Sequence, residues 1–320
     1  METTFSLTQI WHHLGWPLVR MLIYISIGLL FANFIEALNW TRKIAFIARP
    51  LTKFAHLSPL TGASFSMAFF SGIAANTMLS EGYSKKEIPK KELILANLFN
   101  SLPTYFLHLP TTFCIVAPLI KGAAFTYIGL TFAAAMVRTL GISLISHFLL
   151  PKPSSEDPEQ QQPREASDLP TAWQRTWKRF KRRIRKIIRF TVPIYILFYI
   201  FTRIGLFDHL EQFMANHLHF LSWLSPQAMS IVALHVAAEF TAGLAAAGAL
   251  LADGTMNNRE VILALLVGNI LSSPVRAFRH QFPYYAGIFK PGLAMHLIAF
   301  SQTFRLISII TVTFFYLMLS

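Results

Sequence analysis

The stretch Lys90–Pro103 reads "KKELILANLFNSLP", and Asn258–Pro274 reads "NREVILALLVGNILSSP". Aligning Glu92 with Glu260 sets a spacing of 168 residues. Nearly the same spacing recurs along the chain. "LVRMLIYISIGLL" at Leu18 is echoed by "IIRFTVPIYILFY" at Ile187, which pairs Arg20 with Arg189. "HLSPLTG" at His56 is echoed by "WLSPQAM" at Trp223, pairing Ser58-Pro59 with Ser225-Pro226. Pro103 falls near Pro274, and "FAAAMVRTLGISLI" at Phe132 is echoed by "IAFSQTFRLISII" at Ile298, pairing Arg138 with Arg305. The offsets are 169, 167, 168, 171 and 167. One or two such matches arise by chance. Five in order predict a chain of two homologous halves.

Both halves are strongly apolar. Of 320 residues 54% are hydrophobic and only 13% charged, where soluble domains carry about 25% charged residues. The mean hydropathy is +0.47. Apolar runs at Pro17–Leu38, Gly122–Leu150, Phe190–Leu206, Ala228–Ala252 and Leu293–Leu319 reach the length that crosses a bilayer, roughly 20 residues. The short alternating segments of a membrane β-barrel do not occur. The expected fold class is all-α: a polytopic helical membrane protein of two homologous repeats with interrupted helices. The expected division is a first repeat at 1–150, a linker with a basic segment at 151–186, and a second repeat at 187–320.

The net charge of +13 raises nucleic acid as a partner, but its distribution argues against that. Nine Lys/Arg and no acid lie between Arg175 and Arg189, and without them the net charge falls to +4. A cluster directly before a span reads as a cytoplasmic anchor on anionic lipid. Trp173, Trp177 and Phe180 are spaced for one side of an amphipathic helix there. The preceding "PKPSSEDPEQQQPREASDLP", Pro151–Pro170, cannot bury a core and is expected to be a disordered cytoplasmic linker. Localisation is therefore expected in the cell inner membrane, with several passes. Cys114 is the sole cysteine, so no internal disulfide or thiolate metal cluster can form. The first residues lack a basic n-region, and the apolar run after them is too long for a signal peptide. Trp11 and Trp16 suit an interfacial lead-in to the first span.

Each half reads alike: a long span, an amphipathic segment (Thr41–Leu57, Asp208–Leu224) and a small-residue helix (Thr61–Leu79, Ala228–Ala252). A helix interrupted near Ser-x-Pro or Ser-Ser-Pro follows, then a span with a central Arg. The small residues permit close helix approach. Four crossings per half would make the repeats parallel and an odd number inverted; both remain open from the charges.

The polar residues concentrate at the interruptions. The first holds Asn97, Asn100, Ser101 and Pro103; the second holds Asn269, Ser272, Ser273 and Pro274. A proline removes a backbone hydrogen bond, and in lipid the freed groups need partners. Asn and Ser side chains can supply them, either as simple repair of a kink or as a solute site. Paired breaks in two repeats point to a midplane transport site, and the two breaks are expected to face each other there.

Arg138 and Arg305 occupy equivalent central positions in apolar spans, where an Arg costs at least ~2.5 kcal/mol. They either clamp carbonyls and acids or bind an anionic group. Glu239 is the sole acid deep in an apparent span, with His235 one turn before it. The pair reads as a proton relay, a cation site or a salt-bridge partner for Arg305 or Arg276. Arg276, Arg279 and His280 follow the second break as snorkelling cations or as a cationic entrance. No nucleophile motif, phosphate loop or nucleotide-binding glycine pattern is present, so no enzyme activity, metal or cofactor is expected. His235 and Glu239 would be the residues of any membrane enzyme.

"FFSGIAANTMLSEGYSKKEIPKKELILANLFNSLPTYF" (Phe69–Phe106) and "LVGNILSSPVRAFRHQFPYYAGIF" (Leu266–Phe289) resemble the nucleoside-recognition, or Gate, domain family of bacterial membrane proteins. Related segments occur in concentrative nucleoside transporters and in ferrous-iron transporter B. The resemblance implies a helical transporter-like protein with paired gate elements, arranged as inverted repeats. The expected function is transport of a small solute, anionic or of phosphate or nucleoside type, between two broken helices. The rival expectations are a non-transporting scaffold or sensor in envelope or spore assembly, and a membrane-embedded enzyme. Expected partners are the lipid bilayer, anionic lipid at Arg175–Arg189 and the solute, with a homo-oligomer as an open option and no nucleic acid.

Overall fold

A computed structural model describes residues 7–37, 49–152, 169–206, 209, 212–213, 224–237 and 240–319, and all regular structure among them is helical. The chain enters through α1 (Leu7–Ile10) and a wide π turn at Trp11–Gly15, which lead without a break into α2 (Trp16–Ala37). Short α3 (Arg49–Phe54), α4 (Pro59–Ala68) and α5 (Gly72–Ser84) follow. Next come α6 (Lys90–Phe99), α7 (Ser101–Ile120) and α8 (Ala123–Leu149). Beyond the linker lie α9 (Leu169–Arg203), α10 (Pro226–Ala237), α11 (Phe240–Ala252), α12 (Asn258–Arg276), α13 (Phe282–Phe289) and α14 (Pro291–Leu319). The linker at 153–168 and the segment Asp208–Leu224, save three of its positions and Leu224 itself, lie outside the described residues.

Four helical stretches among the described residues are long and apolar enough to cross a membrane: Lys90–Ile120, Ala123–Leu149, Asn258–Phe289 and Pro291–Leu319. This is the make-up of a multi-pass membrane protein. Bulky apolar side chains stay exposed along α8 (Val137, Leu140, Leu144, Phe148) and α14 (Ile307, Ile310, Phe314, Phe315), as a lipid-facing surface requires. Several hydroxyls on these helices bond back to their own backbone, as in Ser143 to Thr139 O at 2.8 Å and Thr313 to Ile309 O at 2.7 Å. Such back-bonding removes the cost of a hydroxyl in lipid.

Three expectations are corrected. The run Ala228–Ala252 is not one span. It forms two short helices, α10 and α11, that pack on each other, as Thr61–Leu79 forms α4 and α5. In the first pair the backbone at Ser71 is extended (φ −157°, ψ 108°), and its side chain caps α5 through Ala74 N–H at 3.1 Å. Each helix is about half a bilayer long at 1.5 Å per residue. The second correction concerns the interruptions. The first lies at Asn100, between α6 and α7, and Pro103 then occupies the first turn of α7, where its missing N–H does no harm. The second helix does not break at Ser272-Ser273-Pro274. It runs through them and widens one turn later into a π turn, Ala277–Gln281, where Phe282 N–H reaches back to Ala277 O. The i→i+5 bond absorbs the misfit that a break would otherwise relieve. The third correction places the basic segment and the following span on one continuous helix, α9, so the expected boundary at 186 falls inside it. Trp173, Trp177 and Phe180 do share a side, with ring centroids 6.3 and 5.3 Å apart.

The chain forms two compact units. The first takes Met1–Leu107, Thr139–Tyr199 and Pro283–Leu297; the second takes His108–Arg138, Ile200–Phe282 and Ile298–Ser320. Each draws on both sequence halves. In the first unit α2 packs along α5, and the α4–α5 pair closes through Ala63, Met67, Ala74, Ala75 and Met78. A separate cluster joins Leu79, Leu93 and Ala96 to Ile288, Phe289 and Leu297. In the second unit α10 and α11 pack on α12, around Ile231, Leu244, Ile262 and Leu265. Val116, Ile120 and Tyr127 complete that core. A Cβ at Gly248 would stand 2.6 Å from Leu119 O, so only glycine admits this close backbone approach.

Local features recur at the spacing of the sequence echoes. Ser58 and Ser225, 167 residues apart, each accept an N–H three residues on, from Thr61 and Ala228. Lys86 and Gly254, 168 apart, both have positive φ, at 62° and 77°. Lys121 and Lys290, 169 apart, do so at 47° and 72°.

Candidate functional site

In the second unit the polar residues lie along two turns of α12. Its N-terminus is fixed by a capping box in which Asn257 accepts from Glu260 N–H while Glu260 accepts from Asn257 N–H. From there an apolar run, Val261–Val267, is buried. At Gly268 the helix face turns polar. Asn269 Oδ1 accepts from Arg276 Nη2 at 3.2 Å and from Arg305 Nη2 at 3.4 Å. Ser273 donates to Gln302 Oε1 at 2.8 Å, which fixes α14 one turn before Arg305. Arg138 lies within Coulombic reach of Arg305, and Arg305 within reach of Arg276 and Tyr127.

Arg138 and Arg305, which the sequence echoes align, therefore lie in one unit within electrostatic reach of each other, with Arg276 as the third. Arg138 Nε is buried without a hydrogen-bond partner among the described residues. Three guanidinium groups in apolar helices cost about 8–10 kcal/mol on insertion scales. Guanidinium groups are planar donors whose chemistry pairs with carboxylate and phosphate, and here two of them meet the amide oxygen of Asn269.

His235 is fully buried and sits against Gly268. Ser272 is buried with its hydroxyl unbonded among the described residues. Arg279 and His280 lie in the π turn, and each has a partner. Glu239 lies outside the described residues. Groups of three or more His, Cys, Asp or Glu suited to hold a metal ion do not occur among the described residues.

The first unit holds Asn97, Asn100 and Ser101, and here each has protein partners. Asn97 Nδ2 donates to Asn76 Oδ1 at 2.9 Å and to the Tyr285 hydroxyl at 3.3 Å. Asn76 Nδ2 donates to Tyr284 at 3.3 Å. Asn100 Nδ2 donates to Ser64 at 2.8 Å, and Ser64 passes a hydrogen bond on to Ala75 O. Ser101 and Thr139 hydroxyls are 3.1 Å apart. The cluster carries no formal charge.

Sequence reasoning missed Asn76, Ser64, Tyr284, Tyr285 and Gln302. Asn76 carried a signal, a lone amide in the apolar "SGIAAN", and Gln302 another, a polar residue one turn before Arg305. Ser64 and the tyrosines look like ordinary small-residue and aromatic packing.

No family model and no solved structure matches the chain. It is similar to three uncharacterized proteins of Methanocaldococcus jannaschii. Identity is 24% to MJ0871, covering 90% of each chain, and 28% to MJ1556, covering 85% of this chain and 86% of the relative. To MJ0880 it is 23%, covering 89% and 92%. The similarity thus spans most of both halves and nearly the whole length of each relative.

Proposed function

We propose that the chain is a multi-pass transporter-like membrane protein of two repeats that binds and moves a small anionic solute. The observation that carries this is the gathering of three arginines in apolar helices of one unit: Arg276 and Arg305 share Asn269 Oδ1, and Arg138 lies within electrostatic reach of Arg305. A purely structural clamp would need an acceptor for each donor, and Arg138 Nε is buried without one among the described residues. A bound carboxylate or phosphate would supply the missing charge. The recurrent caps and positive-φ turns support the two repeats. The two short packed helix pairs support a transporter architecture, since half-length helices place polar backbone ends at depth. The patterning that resembles Gate segments falls on α5–α7 and α12–α13, which hold both polar clusters.

The test is uptake of labelled phosphate and of small organic phosphates and carboxylates into proteoliposomes. Arg305→Gln should lower uptake at least tenfold with equal protein in the membrane. Absence of uptake for all anions, together with no anion-dependent thermal stabilisation, would overturn the proposal.

A further inference from the structure

Beside the arginines, the second unit buries two polar side chains without partners among the described residues. His235 is 0% exposed, with neither ring nitrogen bonded, and the Ser272 hydroxyl is likewise buried and unbonded. Ser272 belongs to the same two turns of α12 as the arginine site, and His235, on α10, packs against Gly268 at their start. His235 lies against Gly268, Asn269 holds Arg305, and Ser272 follows Gly268 by one turn.

Buried donors and acceptors are seldom left unpaired, and those that are point to a ligand or water. His235 is accommodated by two glycines. A Cβ at Gly268 would stand 2.5 Å from its Nδ1, and one at Gly243 would stand 2.7 Å from its Cβ. Phe240 flanks the ring with centroids 5.4 Å apart. A leucine would fill such a space with no nitrogen to satisfy. A neutral imidazole presents one N–H and one lone pair, and a serine hydroxyl likewise both donates and accepts.

We infer that the anion held by Arg138 and Arg305 carries a hydroxyl near its acidic group, and that His235 and Ser272 recognise that hydroxyl. The inference rests on the anion reading above. A fully ionised inorganic anion only accepts hydrogen bonds and would leave the imidazole lone pair unpaired. A hydroxyl is the smallest group that both donates and accepts. Sites built to bond a hydroxyl reject analogues that lack it far more strongly than apolar pockets reject a missing methylene.

The test is calorimetric binding to the full chain in detergent, with lactate against propionate and glycerol phosphate against propyl phosphate. The wild type should bind the hydroxylated member of at least one pair about tenfold or more tightly. His235→Leu should abolish that preference while still binding the unhydroxylated member, and Ser272→Ala, which removes a single atom, should narrow it. Equal binding within both pairs, or a preference that survives both substitutions, would overturn the inference and leave the anion site standing. If no member of either pair binds, the anion reading fails and the inference with it.

Discussion

Arg305 Nη2 donates to Asn269 Oδ1 across 3.4 Å, to an oxygen that Arg276 already engages at 3.2 Å. A carboxylate in that place would pair with both guanidinium groups. Asn269→Asp is therefore expected to stabilise the protein by about 1–3 kcal/mol through charge-assisted bonds. It should also remove stabilisation by added anions, because the new charge fills their role. Asn269→Leu should instead destabilise by a similar amount. Melting in detergent with and without phosphate measures both. An Asp variant that still gains stability from phosphate would show that the anion binds elsewhere.

The contact between Gly268 and His235 yields a second test. A methyl at 268 would meet the imidazole at 2.5 Å, and overpacking of this kind costs roughly 1–3 kcal/mol. Gly268→Ala should lower the melting temperature accordingly. In a His235→Ala background the same change should cost less, since the ring contacts are gone and only the Cβ of residue 235, at 2.9 Å, remains. Equal costs in both backgrounds would mean that the strain comes from the helix backbone and not from the ring.

The recurring caps were legible because caps and turns are local chemistry: Ser58 and Ser225 hold the same hydrogen bond, and a serine before a proline is enough to signal it. The length of α8 and α14 was legible from continuous apolar runs. The folding back of α10 on α11 was not, because "ALHVAAEFTAGLAAAGALLA" has neither proline nor a glycine cluster at the corner. Composition sees an apolar run and cannot see that tertiary packing divides it. At Pro274 the rule that proline breaks a helix lost to the freedom of the ladder to widen at Ala277–Gln281. Arg138 and Arg305 were identified by their cost in lipid, but their meeting in one unit depends on packing that spacing does not encode.

Three lysines with positive φ supply a third prediction. Lys86, Lys121 and Lys290 adopt φ of 62°, 47° and 72°, where a Cβ is crowded. Gly254 shows the alternative at the position echoing Lys86. Lys86→Gly is expected to be neutral to stabilising by about 1 kcal/mol, offset in part by the greater freedom of glycine in the unfolded chain. Lys86→Val should be destabilising by more than 1 kcal/mol, since a β-branched residue fits that region worst. Melting temperatures in one detergent rank the three side chains. An order of Val above Lys above Gly would show that this turn does not decide stability.

Asn97 and Asn100 are expected to act on stability and not on solute binding. Their amides are spent within the first unit, on Asn76 and Tyr285 and on Ser64. Removing one partner strands the other as a buried polar group, which costs about 1–3 kcal/mol. Asn97→Leu and Asn100→Leu should each lower the melting temperature, and Asn97→Leu combined with Asn76→Leu should cost less than the sum of the single changes, because both ends of one bond are then apolar. Anion affinity of the folded fraction should be unchanged in all of them, whereas Arg305→Gln should reduce it. A variant at Asn100 that melts like the wild type but binds anions ten times more weakly would assign its amide to the solute instead, and its buried Oδ1, unbonded among the described residues, would then be the atom that reaches it.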